Sequence, residues 1–506
     1  MAPAKLLYID LFCGAGGTST GIASARLHGD PCARVIACVN HDAKAIASHA
    51  ANHPEALHFT EDIRTLELSP LVAHLDECRR QNPGARVVLW ASLECTNFSK
   101  AKGGQPRDAD SRTLAEHLFR YIEAIDPDYI QIENVEEFMS WGDVDADGKP
   151  VSKDRGRSYL RWVRNVRSYG YAFEHRILNA ADFGAYTSRR RFFGIFARMG
   201  LPIVFPVPTH SRAGGVGLFG ETPRWKPVRD VLDFSNEGNS IFGRKKPLAE
   251  KTLERIYSGL IKFVAGGRDA FLVKYNSMSQ SGRYIPPSLD DPCPVVATQG
   301  RLALASVAFL SKQYSGSPDG KNISVDSPAG TITTRDHHAF ISVHYGTGTA
   351  TSVDTAAGAV TTNPKHHLVT VKSAFLMNPQ FTSPGGSVDD PCFTLIARMD
   401  KRPPCLVVTE PGQLAIEIYP DDSPMTVKIK EFMALYDIVD IKMRMLTIVE
   451  LLLIQGFPAD YILVGTQADK KKFIGNAVEV NMARALCEAL CSGLEGLDQE
   501  CPRRAA

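Results

Sequence analysis

The chain of 506 residues carries 57 Lys+Arg against 56 Asp+Glu, a formal net charge of +1, with 44% hydrophobic and 22% charged residues. These values suit an ordinary globular chain of two to four domains, or one domain with a large insertion, and exclude a uniformly basic coat. A local basic stripe for nucleic acid stays compatible with them, whereas no run approaches 18 consecutive apolar residues and no membrane span is expected.

The opening Met-Ala-Pro-Ala-Lys is too short and wrongly built for a secretory signal. Eleven cysteines without a Cys-x-x-Cys pair predict free thiols in a reducing compartment, so a cytoplasmic location and no metal are expected.

Residues 5–10 (Lys-Leu-Leu-Tyr-Ile-Asp) read as a short buried strand, followed by the Gly-rich turn Cys13-Gly14-Ala15-Gly16-Gly17 and a helix over 18–27. Residues 35–39 predict a second strand, 43–52 a helix, and 87–91 and 129–132 further strands. Strands alternating with helices argue for an α/β domain with a mostly parallel sheet, whose ligands sit beyond the carboxyl ends of the strands. Each candidate motif follows such an end: Asp10, Asn40, Cys95 and Glu133. The Gly-rich turn lets backbone approach a ligand, but it is neither Gly-x-Gly-x-x-Gly nor a P-loop with its lysine. Arg157, Arg161 and Arg164 fall at helical spacing, which suits a solvated helix face or contact with a DNA backbone.

Prolines 202, 206 and 208 and the Gly-rich 214–220 stretch read as a linker. Residues 271–410 then hold a four-fold repeat with cores at 288–298, 324–334, 352–362 and 387–397, each a Ser-x-Asp turn signal followed by alternating β-branched residues. Apolar pairs at Phe271, Phe309, Phe340 and Phe375 predict a second strand near each copy. Basic loops between copies (299–301, 335–338, 365–367, 398–402) are candidates for tracking phosphates. The His-His pairs at 337–338 and 366–367 lack further ligands at fixed spacing, which argues against metal there. From 446 the pattern turns helical, with one helix ended by Gly456 and Pro458 and a final helix reaching about residue 490.

Cys95, at a strand end and followed by a polar, Gly-rich segment, is a candidate nucleophile. A carboxyl group at Glu133 suits hydrogen bonding to N3 of a cytosine, which makes C6 reactive, and Arg189 and Arg191 suit the carboxylate and the base carbonyl.

With Asp10-Leu-Phe-x-Gly-x-Gly-Gly17, Glu133-Asn-Val135, Arg444-x-Leu-Thr-x-x-Glu450, Gln455-Gly-Phe-Pro458 and Gly475-Asn-Ala-Val478, the chain resembles the DNA (cytosine-5) methyltransferase family over roughly 5–200 and 440–490. The resemblance implies a Rossmann-like α/β domain that binds S-adenosyl-L-methionine, formed by 1–200 plus 431–506. It also implies a β-rich target-recognition insertion over 201–430. Phe12, Gly14, Ala15, Gly16, Gly17, Asn40, Asp62, Ile63, Asn476 and Val478 would hold the cofactor. Cys95 would attack C6 of a flipped-out cytosine and Glu133 would stabilise N3, while Glu94, Asn134 and Ser99 complete the expected substrate contacts. Double-stranded DNA is the implied partner, and a monomeric bacterial or phage-encoded enzyme is expected.

The sequence departs from the family pattern at three places. Asn40 replaces an acidic residue, Thr187 replaces the Gln of Gln-x-Arg-x-Arg, and Glu94 replaces the proline before the nucleophile. Glu94 either pairs with Lys100 or Lys102, or touches base or cofactor and alters the substrate or product. An RNA cytosine methyltransferase and a catalytically silent DNA-binding relative remain as alternatives.

Overall fold

The computed structural model describes residues 4–93, 115–141, 156–217, 220–233, 235–236, 239–261, 417–435 and 438–504, with eight strand segments between 270 and 411. Glu94, Cys95, Ser99, Lys100, Lys102 and nearly all of the four repeat cores lie outside the described residues.

The first lobe is a seven-stranded sheet. Its strands are β1 (Leu6–Leu11), β2 (Ala33–Val39), β3 (Leu57–Phe59), β4 (Arg86–Ser92), β5 (Tyr129–Asn134), β6 (Tyr171–Asn179) and β7 (Arg190–Arg198), in the order β3-β2-β1-β4-β5-β7-β6. The first five are parallel, and β7 runs antiparallel to both β5 and β6. The order reverses between β1 and β4, the switch point at which doubly wound sheets leave a crevice beyond their strand ends. Every β1 residue is buried, as its largely apolar run demands of a central parallel strand. Its one polar residue, Asp10, accepts a hydrogen bond from Ser19 Oγ at 2.8 Å.

The helices of this lobe are α1 (Gly17–Ser24), α2 (Ala43–Asn52), α3 (Ser69–Gln81), α4 (Leu118–Ile125) and α5 (Arg157–Arg167). Helix α2 starts where the sequence predicts, because the Asp42 carboxylate accepts from Lys44 N and Ala45 N. Helix α1 stops at Ser24, short of the expected residue 27. Ala25 turns extended there, and Arg26–Leu27 pairs with Asp30–Pro31 in a small hairpin.

In the second lobe Asn239–Ser240, Ile438–Met445, Cys405–Pro411, Ala374–Met377, Leu302–Ser306, Ala270–Lys274 and Gly386–Ser387 form another seven-stranded sheet in that order. Phe340–Val343 pairs with Thr351–Ser352 and His366–Val369 in a small third sheet. The expected strands at Phe271, Phe340 and Phe375 are thus present, while Phe309 lies outside the described residues. Helices α6 (Glu250–Gly259) and α7 (Pro424–Leu435) flank this region.

The chain then returns to the first lobe through α8 (Ile448–Ile454), α9 (Gln467–Asn476) and α10 (Val480–Arg504). A reciprocal capping box of Thr447 and Glu450 starts α8, and Glu450 also grips Arg444 through two 2.8 Å hydrogen bonds. Gly456, at φ 80°, ends the helix in the left-handed conformation that glycine adopts without strain. Helix α10 packs on α1 so closely that a Cβ at Gly21 would lie 2.5 Å from Val480 O. Met482, Ala483, Leu486 and Leu490 thereby complete a core with Leu6 and Tyr8 of β1. Among the described residues no helix is long and apolar enough to cross a membrane.

Candidate active site

The Gly-rich turn leaves β1 at the switch point. Phe12 has φ 60° and Gly14 φ 53°, and Gly16 at φ 103° precedes the first turn of α1. A non-glycine residue at positive φ is uncommon, and Phe12 holds that conformation at the mouth of the crevice. Around Gly14 a Cβ would meet nothing within 4 Å, so the outer edge of the turn is open to a ligand. The inner edge is closed. Tyr461 Oη donates to Ala15 O at 2.5 Å, and a Cβ at Gly17 would lie 2.5 Å from Val478 O and 3.0 Å from Ala477 Cβ. The Asn476–Val478 segment is therefore packed directly against the turn, although it is separated from it by most of the chain.

Asn40 follows β2. Its Oδ1 accepts from Asp42 N at 2.9 Å, so the amide NH2 is the group left for a ligand among the described residues. An acidic residue would accept from ribose hydroxyls, whereas this asparagine presents a donor. Asp62 is gripped by Arg64 through Nε at 3.0 Å and Nη2 at 2.6 Å, and that guanidinium holds its carboxyl below the ordinary aspartate value. Ile63 is buried in the core, and its carbonyl accepts from Tyr121 Oη and Arg120 Nη1.

Glu133, next to last in β5, lies beside Ser92 of β4 and Phe193 of β7. Arg191 Nε lies 3.2 Å from Glu133 Oε1, with only 14% and 9% of the two side chains exposed. A nearly dry ion pair thus stands at the carboxyl end of the central strands. Asn134, next along, donates through Nδ2 to Leu93 O at 3.4 Å and accepts from Val135 N at 2.8 Å. It ties the end of β5 to the backbone immediately before Glu94.

Arg189 is buried beside this strand end. Its Nη1 donates to Gly475 O at 3.3 Å, so it holds the Asn476–Val478 segment in place. Thr187 is fully buried. Gln455 Nε2 donates to Ile474 O at 3.0 Å, which braces the same segment from the other side. Sequence reasoning gave Arg189 a role at the base. The Gly475 carbonyl that it binds is 286 residues away, and nothing in the local pattern announces that contact.

A second feature lay outside the sequence reading. Glu479, N-terminal to α10, accepts from Met482 N at 2.8 Å and Asn481 Nδ2 at 2.7 Å, and burial pushes its carboxyl up to about 7.

The model of the C-5 cytosine-specific DNA methylase family matches residues 6–214 and 402–492, more than half of the chain and all the strands and loops just described. The chain belongs to this family. Among curated relatives, a type II methyltransferase of Thalassovita gelatinovora (M.AgeI) is 31% identical over 234 residues, covering 44% of this chain and 49% of its own length. A type II methyltransferase of Haemophilus parahaemolyticus (M1.HphI) is 27% identical over 236 residues, covering 46% and 57%. The chain thus spans about half the length of these two relatives. A solved methyltransferase structure from Entamoeba histolytica aligns with TM-score 0.45 and 13% identity over 97% of this chain and 99% of that one. The fold assignment rests on the strand order and the family match.

Proposed function

We propose that this methyltransferase transfers a methyl group from S-adenosyl-L-methionine to C5 of a cytosine in double-stranded DNA. The observation that carries the reading is the Glu133–Arg191 pair, nearly buried at a strand end whose register neighbour Ser92 lies three residues before Cys95.

The open turn at Gly14, the Asn40 amide and the Asn476–Val478 segment fit the cofactor, with Asp62 and Ile63 toward its adenine. Bound there, S-adenosyl-L-methionine supplies an electrophilic methyl group. The protein's residues do the rest. The Cys95 thiolate adds to C6 and pushes electrons into the ring, which makes C5 nucleophilic. Arg191 occupies Glu133 Oε1, which leaves Oε2 to carry a proton to N3 as the thiolate adds at C6, so that the altered ring is held neutral. Once C5 has taken the methyl group and S-adenosyl-L-homocysteine is left behind, loss of the C5 proton to a base expels Cys95 as thiolate, returns the N3 proton to Glu133 and restores aromaticity. The cytosine must leave the duplex first, since C6 is inaccessible within the stack. Residues 201–430 are the proposed target-recognition region, with Arg157, Arg161 and Arg164 as a second DNA-facing surface.

Genomic fragments amplified with 5-fluoro-dCTP offer every target sequence and block the final proton loss. Wild-type protein with S-adenosyl-L-methionine is expected to form a covalent adduct with them, and Cys95→Ala none. On ordinary DNA, nucleoside mass spectrometry should find 5-methylcytosine; another modified base would assign the product change to Glu94. No adduct and no modified base on DNA, with modification of RNA instead, sinks the proposal.

A further inference from the structure

Directly behind the cofactor turn lies a set of buried side chains that methyl transfer does not use. The register across three adjacent strands aligns Asp10 of β1 with Cys38 of β2, and Cys38 with His58 of β3. Above them α2 presents His49, fully buried, and the turn itself contributes Cys13, 6% exposed. The ligand atoms of Cys13, Cys38 and His49 all lie within 4.8 Å of one another. Cys38 Sγ is 3.6 Å from His49 Nδ1, which is 2.9 Å from His58 Nε2, and His58 also reaches the Cys38 thiol.

We propose that Cys13, Cys38, His49 and His58 form a binding site for a thiophilic divalent cation of the zinc class. Two sulfurs and two imidazole nitrogens are the donor set such an ion takes in tetrahedral structural sites. Metal bonds of about 2.3 Å to sulfur and about 2.0 Å to nitrogen put neighbouring S and N ligands about 3.5 Å apart, and two N ligands about 3.3 Å apart. The Cys38–His49 separation already has the first spacing and the two imidazoles need to part by a few tenths of an ångström, while His58, which stands outside the 4.8 Å cluster of the other three, has to close on the thiols.

The surroundings supply what a ligating histidine needs on its far side. His49 Nε2 lies 2.9 Å from Ser19 Oγ, and that hydroxyl donates to Asp10 Oδ2 at 2.8 Å. This chain fixes Nε2 as the protonated nitrogen and leaves Nδ1 to face the thiols, the arrangement that orients metal-bound imidazoles. Asp10 Oδ1, fully buried, has no hydrogen-bond partner among the described residues, so a nearby cation would offset an otherwise costly carboxylate. His53 does not belong to the set, because its Nε2 faces Thr20 Oγ1 at 3.1 Å. The absence of Cys-x-x-Cys spacing argued against metal in the sequence, but these ligands come from four separate elements and leave no such signature. Cys13 lies between Phe12 and Gly14, so an ion there would clamp the cofactor turn from behind.

The test reads metal and not methylation, so its failure is separable from failure of the proposed reaction. Full-length protein purified without chelator is expected to hold about one zinc per chain by plasma mass spectrometry. X-ray absorption of the same sample should find two sulfur and two nitrogen neighbours. A second cluster, Cys32, Cys487 and Cys491, offers three thiols and serves as the control. Cys38→Ser should lose the bound zinc and Cys491→Ser should keep it. Metal-free folded protein that gives no thiolate-to-cobalt absorption with added cobalt, a three-sulfur metal shell, or zinc lost only in Cys491→Ser would each overturn the proposal.

Discussion

Arg191 and Glu133 neutralise one another in a setting with little water, so each depends on the other. Arg191→Ala leaves a nearly buried carboxylate without its partner, which costs about 3 kcal/mol of stability. The same change frees Oε1 to compete for the base and should lower the single-turnover methylation rate roughly 100-fold. Glu133→Gln separates the two effects, since its amide oxygen still accepts from Arg191. It is expected to lose less stability than Arg191→Ala, because the hydrogen bond persists although the Arg191 charge loses its counterion, while losing a comparable share of the rate. Equal losses of stability in both variants would mean that the pair is structural first. The inner and outer glycines of the cofactor turn make a second contrast. A Cβ at Gly17 runs into Val478 O at 2.5 Å, a backbone atom that cannot swing aside. Gly17→Ala should therefore cost about 2 kcal/mol in urea unfolding. Gly14→Ala meets open space and carries only the penalty of its φ of 53°, about 1 kcal/mol. The reverse ranking would refute the tight closure of the chain's two ends around this turn.

Among the elements, α5 is the one whose outer face has a testable purpose. Tyr159, Trp162, Val163 and Val166 are buried, and Trp162 Nε1 donates to Ala115 O at 2.8 Å, while Arg157, Arg161 and Arg164 stay exposed. Arg161 approaches Glu116 only to 4.0 Å, a surface pair of little energetic weight. If both Arg161 and Arg164 touch phosphates, the Arg161→Ala, Arg164→Ala double variant lowers the salt slope of DNA binding by about 2. An unchanged slope, measured by fluorescence anisotropy from low to moderate salt, would make this a solvated face only. The amphipathic spacing that marks α5 also marks what the sequence made legible. Strands at 87–91 and 129–132 and the helix at 43–52 emerge from the residue pattern, and the structure extends or repeats them. The pairing of Glu133 with Arg191 was legible too, because an arginine was expected to hold that carboxylate. What local pattern could not carry was contact between remote segments: Arg189 with Gly475, Tyr461 with Ala15, and Cys38 with His49 and His58. The early end of α1 was hidden for a related reason. Its C-terminal residues have helical propensity, but the chain there is drawn into a hairpin beneath α10, where Arg26 N donates to Glu488 Oε1 at 3.0 Å.

Across the whole molecule, the cofactor crevice is built by two ends of the chain that meet only in the folded state. Helix α10 caps the β1 core, and the segment leading into it lines the turn after β1. Glu479 sits at that junction, between the end of α8 and the start of α10. A Cβ at Gly456 would lie 2.6 Å from its Oε1, and Val480 N donates to Gln455 O at 3.2 Å. Burial raises its carboxyl from the ordinary 4.5 to about 7, against the lowering pull of Asn481, Met482 N and the Arg484 charge. Between those two values the folded chain binds more protons than the unfolded chain, so stability falls as pH rises through the window and levels off above about 7. The full effect is on the order of 3 kcal/mol. Glu479→Gln removes the titration while keeping an acceptor for Met482 N, so its stability should change less over the same range. Urea unfolding of both proteins at constant ionic strength, from about pH 5 to about pH 8, should show their difference moving in the variant's favour with rising pH. Parallel curves would mean that water or a shifted α10 relieves the buried charge, and that the closing helix is looser than its packing on α1 implies.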